Sequence, residues 1–128
     1  MSTTQRVDYA GSPVIKRGRT FEEQVVGEVV DHAWERTVTE ADNTVFTTAT
    51  LGFEPRYFSV PYAQRLGLRR EQVNPMLVFS MVFGLSVEHL SEIGGPFLGG
   101  EDLVFGAPVF PGDTLRAHST VVEARESS

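Results

Sequence analysis

The longest apolar run of the chain lies between Asn74 and Ile93 and predicts its central element, a single helix. Asn74 is a suitable N-cap, Pro75 suits the first helical position, and Gly94 and Gly95 follow as a stop signal. The first half of the segment is apolar on every side. Because such a helix has to be covered by other elements, we predict a central helix at about 74–93 with a sheet wrapped around it.

Upstream of this helix, the pattern predicts one strand and two shorter helices. Apolar residues between positions 20 and 37 recur with polar interruptions, which favours a strand. Thr39 followed by acidic residues is typical of a helix start, and this helix would end near Gly52, which suits a C-cap. Pro55 then predicts a loop, before a short helix at 59–66.

Downstream of the central helix, the apolar pattern changes to a period of two with turn signals. Pro111, Gly112 and Asp113 predict a turn, and the alternation over 114–125 predicts a strand. His118 is expected on the solvent side of that strand. His32 in the first strand is expected to be half exposed, with a catalytic role as the alternative. The fold class is therefore α+β.

Composition and charge restrict the number of domains, the class of partner and the cellular location that we expect. The 128 residues suit one domain, with a flexible arm at 1–18 and a folded part at 19–128, and 41% apolar residues can form a core. A net charge of −6 disfavours nucleic acid or an anionic membrane as partner, although three basic residues at 16–19 could instead meet a phosphate. The chain has no cysteine, and no signal-type apolar segment opens it. We expect a cytoplasmic protein without metal or cofactor.

Four blocks of the sequence resemble the MaoC-like dehydratase and (R)-specific enoyl-CoA hydratase family. They are TVTEADNTVFTTAT at 37–50, GFEPRYF at 52–58, VNPMLVFSMVFGLSVEHLS at 73–91 and LGGEDLVFGAPVFPGDTLRAHSTVVEARES at 98–127. Asn74 and the GLSVEHLS segment look most like the mesaconyl- or itaconyl-CoA hydratase branch. The resemblance implies the hot-dog fold, in which a sheet wraps the central helix, two units pair, and an acyl-CoA or acyl-carrier thioester lies between them.

The loop at 52–58 departs from the family pattern at its catalytic positions. Relatives carry an Asp-x-Asn-Pro-x-His motif there, whereas this chain has Gly52, Glu54 and Tyr57 at the three polar positions. A tyrosine is a poor base at neutral pH. Glu54 could replace the missing base if Phe53 and Pro55 shield it from water, and its alternative is an exposed loop acid.

The start of the central helix is the expected support for the thioester carbonyl. The resemblance places substrate there, and the free N–H groups of a helix N-terminus suit a developing negative charge. Met76 and Leu77 would be the backbone donors, with Asn74 either a further donor or the N-cap. Gly52, Phe53, Pro55 and Ser80 are the further residues expected to bind substrate, and Ser80 would also contact the core or bond to the preceding turn. A basic patch of Arg65, Arg69 and Arg70 could meet a CoA phosphate or remain solvated surface.

Three functions remain open from the sequence. The first is a hydratase or dehydratase of 2-enoyl or 3-hydroxyacyl thioesters, with Glu54 and Tyr57 as catalytic groups. The second is a non-catalytic hot-dog subunit that pairs with an active homologue. The third is a thioester-binding module without chemistry. As for the oligomeric state, the resemblance implies a homodimer or a heterodimer with another hot-dog protein. Relatives carry further strands after the segment that corresponds to R-E-S at 125–127. Either the sheet of this chain is therefore incomplete, or a partner completes it.

Overall fold

A computed structural model describes residues 10–11 and 16–126, and it confirms an α+β fold. The helices and strands are β1 (Val29–Thr37), α1 (Glu40–Ala49), α2 (Val60–Arg65), α3 (Pro75–Leu90) and β2 (Thr114–Thr120). One short 3-10 turn, Phe21–Glu23, precedes β1, and a second, Pro55–Tyr57, lies between α1 and α2. No helix among the described residues is long and apolar enough to cross a membrane.

The two strands form an antiparallel pair that packs against α3. The pairing runs from Val29 opposite Thr120 to Thr37 opposite Thr114, with an irregularity between Asp31 and Glu35. Such a bulge changes which face the side chains occupy. Val30 and His32 point inward, whereas the residues after them are exposed.

The central helix begins as predicted and ends earlier. Asn74 is the N-cap, with its side chain accepting a hydrogen bond from the Met76 amide, and Pro75 occupies the first turn. The predicted end at residue 93 is wrong, because the helix stops at Leu90. Ser91 leaves the helical conformation, and its carbonyl accepts the Gly94 amide in a turn.

The core lies at the first half of α3 and covers one side of the helix. Val38, Val73, Leu77 and Met81 form its buried cluster. The described part of the sheet has two strands, so the helix is wrapped only in part and Met76, Ser80 and Gly84 are exposed.

The helix α1 shows the predicted capping at its start and a different end. Thr39 and Asp42 form a reciprocal capping box. The expected C-cap role of Gly52 is wrong, since Thr50 is the C-cap and Leu51 takes the left-handed conformation with φ of 54°. Ser59 caps α2, as expected.

Most of the predicted arm at 1–18 lies outside the described residues, but its end contacts α3. The Gly18 amide donates to the Glu88 carbonyl at 2.6 Å, and Arg17 pairs with Glu88 and Glu92. Lys16 pairs with Glu23, and Arg19 with Glu28. The basic residues considered for a phosphate therefore have carboxylate partners within the chain.

Candidate functional site

The loop after α1 meets the N-terminus of α3 at Gly52. A Cβ atom on Gly52 would lie 3.4 Å from Nδ2 of Asn74 and 3.4 Å from Oγ1 of Thr50, which is ordinary van der Waals contact. Gly52 itself is not in the left-handed conformation. The position of the missing family aspartate and the cap of α3 are thus adjacent, and a Cβ atom at position 52 would meet the Asn74 side chain at van der Waals distance.

Asn74 serves as the cap and keeps a free donor. Its Oδ1 accepts the Met76 amide at 3.0 Å, while its carbonyl accepts the Leu77 amide at 2.9 Å. The two backbone donors expected for a thioester carbonyl therefore already have acceptors. Among residues 10–11 and 16–126, Nδ2 of Asn74 has no hydrogen-bond acceptor. This amide group is the available donor at the helix N-terminus.

Glu54 and Tyr57, the predicted catalytic pair, lie on the 3-10 turn that Pro55 begins. The Glu54 side chain is 42% exposed and accepts a hydrogen bond from Arg56 at 3.1 Å. Phe53, considered as a shield for Glu54, is itself 70% exposed. Tyr57 is half-buried, with the Arg56 guanidinium 6.0 Å from its ring centre. In this loop Glu54 is an ion-paired acid rather than a desolvated base.

An apolar groove of about 740 Å³ runs between α1 and α3. Phe46, Leu77 and Met81 line the groove, and Gly84 lines it without a side chain. Ser80 lines the groove and donates to the Met76 carbonyl at 2.8 Å, which confirms the expected bond to the preceding turn. The arrangement can hold a small apolar group beside the cap of α3.

Asn43 connects the parts of this site, and the sequence analysis missed it. The side chain is 2% exposed and donates to the carbonyl oxygens of Tyr57 and Gln72, while its Oδ1 accepts the Asn74 amide. The available signal was a polar pair, Asn43 and Thr47, at helical spacing on the inner face of α1.

Two of the three arginines of the predicted basic patch are ion-paired, whereas Arg65 is exposed and lies over the Tyr62 ring, 5.5 Å from its centre. Arg69 pairs with Asp113 and lies over the Phe110 ring, and Arg70 pairs with Glu40 and Glu71. Glu71 is buried, and burial by itself raises its pKa, but the hydrogen bond and charge of Arg70 together with a backbone hydrogen bond outweigh burial and leave the pKa below its usual value. Arg69 and Arg70 are therefore ion-paired within the chain, and Arg65 is the member of the patch without a carboxylate partner among the described residues.

His32 is buried, so the expectation of a half-exposed side chain is wrong, whereas His118 is exposed as expected. Nδ1 of His32 faces Nδ1 of His89 at 3.1 Å, and Nε2 lies 2.8 Å from Ser119 Oγ. Burial lowers the pKa of His32, and His89 lowers it further. This pair joins β1, β2 and the end of α3, away from the loop at 52–58. No cluster of three metal-ligating side chains occurs in the described parts of the chain.

The architecture matches a solved hot-dog protein. A Chloroflexus aurantiacus protein described as a MaoC domain protein dehydratase aligns with a TM-score of 0.71 and 35% identity, over 87% of this chain and 32% of that one. Fold and site thus define the class as a MaoC-like hot-dog protein.

The sequence comparisons specify the family within this class. The mesaconyl-CoA hydratase family matches residues 4–128, and the chain belongs to this family. It is 38% identical to the β-methylmalyl-CoA dehydratase of Chloroflexus aurantiacus over 86% of its length, and 35% identical to the mesaconyl-CoA hydratase of Cereibacter sphaeroides over 87%. The chain spans 31% and 32% of these two relatives.

Proposed function

We propose that this chain forms the thioester-holding part of an acyl-CoA hydratase or dehydratase, which adds water to a 2-enoyl thioester or removes it from a 3-hydroxyacyl thioester. The observation that carries the proposal is the meeting of Gly52 with the free Nδ2 donor of Asn74 at the start of α3. The relatives named for mesaconyl-CoA and β-methylmalyl-CoA support the substrate class.

In the proposed reaction, the hydroxyl of water adds to C3 and a proton adds to C2. As C2 becomes carbanion-like, negative charge develops on the thioester oxygen, where a fixed donor lowers the barrier. Nδ2 of Asn74 is suited to this role, because the hydrogen bond from the Met76 backbone amide to Oδ1 holds the plane of the side-chain amide in place. The groove beside Ser80 and Leu77 would take the acyl group.

For proton transfer we favour a second hot-dog unit, with Glu54 and Tyr57 of this chain as the alternative. The Glu54 side chain is 42% exposed, and its carboxylate is engaged by Arg56. The chain also spans about a third of its curated relatives, and a paired unit with an Asp/His loop would supply the missing groups. A cytoplasmic location fits a CoA-ester substrate.

The test follows the loss of enoyl-thioester absorbance with crotonyl-CoA and mesaconyl-CoA. The purified chain is assayed alone and mixed with an Asp/His-bearing homologue, with the homologue alone as control. We expect no turnover by the chain alone and a rate above that of the homologue in the mixture. Turnover by the chain alone that Glu54→Gln abolishes would favour Glu54 as the base. The absence of both binding and turnover in every mixture would refute the proposed function.

A further inference from the structure

A single buried side chain, that of Asn43, joins three segments that are distant in sequence. It lies on α1 and bonds to the loop at Tyr57, to the connection before α3 at Gln72, and to the cap of α3 at Asn74. We propose that Asn43 is a positioning residue, which sets the loop at 52–58 against the cap of α3. An effect of Asn43 on turnover rests on the proposed function.

The bonding capacity of the Asn43 amide matches these three contacts. Its two N–H groups donate to the Tyr57 carbonyl at 2.7 Å and to the Gln72 carbonyl at 3.2 Å. Its oxygen accepts the Asn74 amide at 2.9 Å. Because a carboxamide offers two donors and an acceptor on one rigid plane, neither aspartate nor serine can make the same set.

This arrangement fixes position 57 relative to Asn74. A second link, from the Gln72 amide to the Arg56 carbonyl at 2.9 Å, runs parallel to it. Without the Asn43 side chain, the hydrogen bond from Gln72 to Arg56 would be the remaining link between the loop at 52–58 and the segment before α3. A displacement of about 1 Å at a catalytic position can cost about a hundredfold in rate, so a positioning bond affects chemistry without touching substrate.

The test compares amide hydrogen exchange in Asn43→Ala and Thr47→Val. Thr47 is a matched control, since it is also buried in α1, at 4% exposure, but its hydroxyl bonds to the carbonyls of its own helix. In Asn43→Ala we expect the amides of Gln72 and Asn74 to exchange about tenfold faster relative to the Gly112 amide, which bonds to Val38. In Thr47→Val we expect no such selective change.

An equal acceleration of every amide in both variants would overturn the proposal, since it would mean that Asn43 contributes only to global stability. Asn43→Asp provides a second test, because it keeps the acceptor for the Asn74 amide and loses both donors. We then expect faster exchange at Gln72 with Asn74 still protected. If neither variant of Asn43 folds, the residue is a general stabiliser and the proposal is also overturned.

A binding experiment distinguishes a failure of this inference from a failure of the proposed function. By calorimetry with crotonyl-CoA, Asn43→Ala is expected to weaken binding by about tenfold or more, with Thr47→Val unchanged. If the unaltered protein neither binds nor turns over the thioester, the proposed function fails. The exchange comparison then still decides whether Asn43 positions the loop.

Discussion

Nδ2 of Asn74 lies 3.4 Å from the point where a Cβ atom on Gly52 would stand. A Cβ atom is therefore tolerated at position 52, where the family motif carries an aspartate. We expect the double variant Gly52→Asp/Tyr57→His, assayed alone, to hydrate crotonyl-CoA at least about a hundredfold faster than the background rate without protein, because a general acid and base typically contribute that much. The rate is measured as loss of enoyl-thioester absorbance.

The matched control for this variant is Gly52→Asn/Tyr57→Phe, which adds similar volume and no group that transfers a proton. Its rate is expected to equal that of the unaltered chain. Equal rates for the two double variants would mean that the loop does not hold the catalytic positions.

Capping and donation by Asn74 can be separated by two substitutions. Asn74→Ala removes the cap and is expected to lower the free energy of unfolding by about 1 kcal/mol, whereas Asn74→Ser restores a capping oxygen and most of the stability. Both variants lack the Nδ2 donor, so both should bind crotonyl-CoA less tightly. Stability is measured by urea unfolding and affinity by calorimetry. Normal affinity in Asn74→Ser would exclude the donor role.

Neighbouring arginines in the connection before α3 should differ in their contribution to stability. Arg70→Gln leaves the buried Glu71 without its cationic partner and is expected to cost about 2 kcal/mol. Arg69→Gln removes an exposed pair with Asp113 and should cost less than about 1 kcal/mol. Urea unfolding of both variants provides the comparison, and equal losses would contradict the assignment of Glu71 as a buried, paired carboxylate.

The burial of His32 beside His89 should make the stability of the fold depend on pH. The pKa of His32 is lowered in the folded state by burial and by His89, with Asp31 opposing and His118 adding a smaller lowering. The unfolded chain therefore binds a proton first, and stability is lost as pH falls from about 6.5 towards the folded-state pKa. We expect thermal unfolding of His32→Gln to show a smaller fall over this range.

His118→Gln is the control for that measurement, because the third histidine of the chain is exposed on β2. Its pH dependence should follow that of the unaltered protein. A loss of pH dependence in His118→Gln and not in His32→Gln would assign the effect to the strand surface instead.

The sequence predicted the elements whose causes are local. The Asn74 cap and Pro75 fix the start of α3, and Thr39 with Asp42 fixes the start of α1. Helix ends were predicted less well, since a glycine pattern cannot show that Leu51 rather than Gly52 takes the left-handed conformation. The irregularity of β1 between Asp31 and Glu35 depends on pairing with a strand more than 80 residues away and has no local signal.

The candidate site remains a prediction, and its contacts could not be derived from the sequence. The family resemblance pointed to the loop at 52–58 and to the start of α3 as its parts. It could not show that Met76 and Leu77 use their amides within the helix, or that Arg56 holds Glu54. Asn43 was missed because its three partners are backbone groups, which leave no side-chain pattern in a sequence.

The close crossing of Gly18 over the end of α3 offers a place for a spectroscopic label. A Cβ atom on Gly18 would lie 2.8 Å from the Ile93 nitrogen, so the backbone there is held tightly against its neighbour. The 16 residues of α3 separate this crossing from Asn74 by about 24 Å. Since the chain has no cysteine, a thiol introduced at the exposed Lys16 would be unique. A dye attached there would report on ligand binding from the opposite end of the helix.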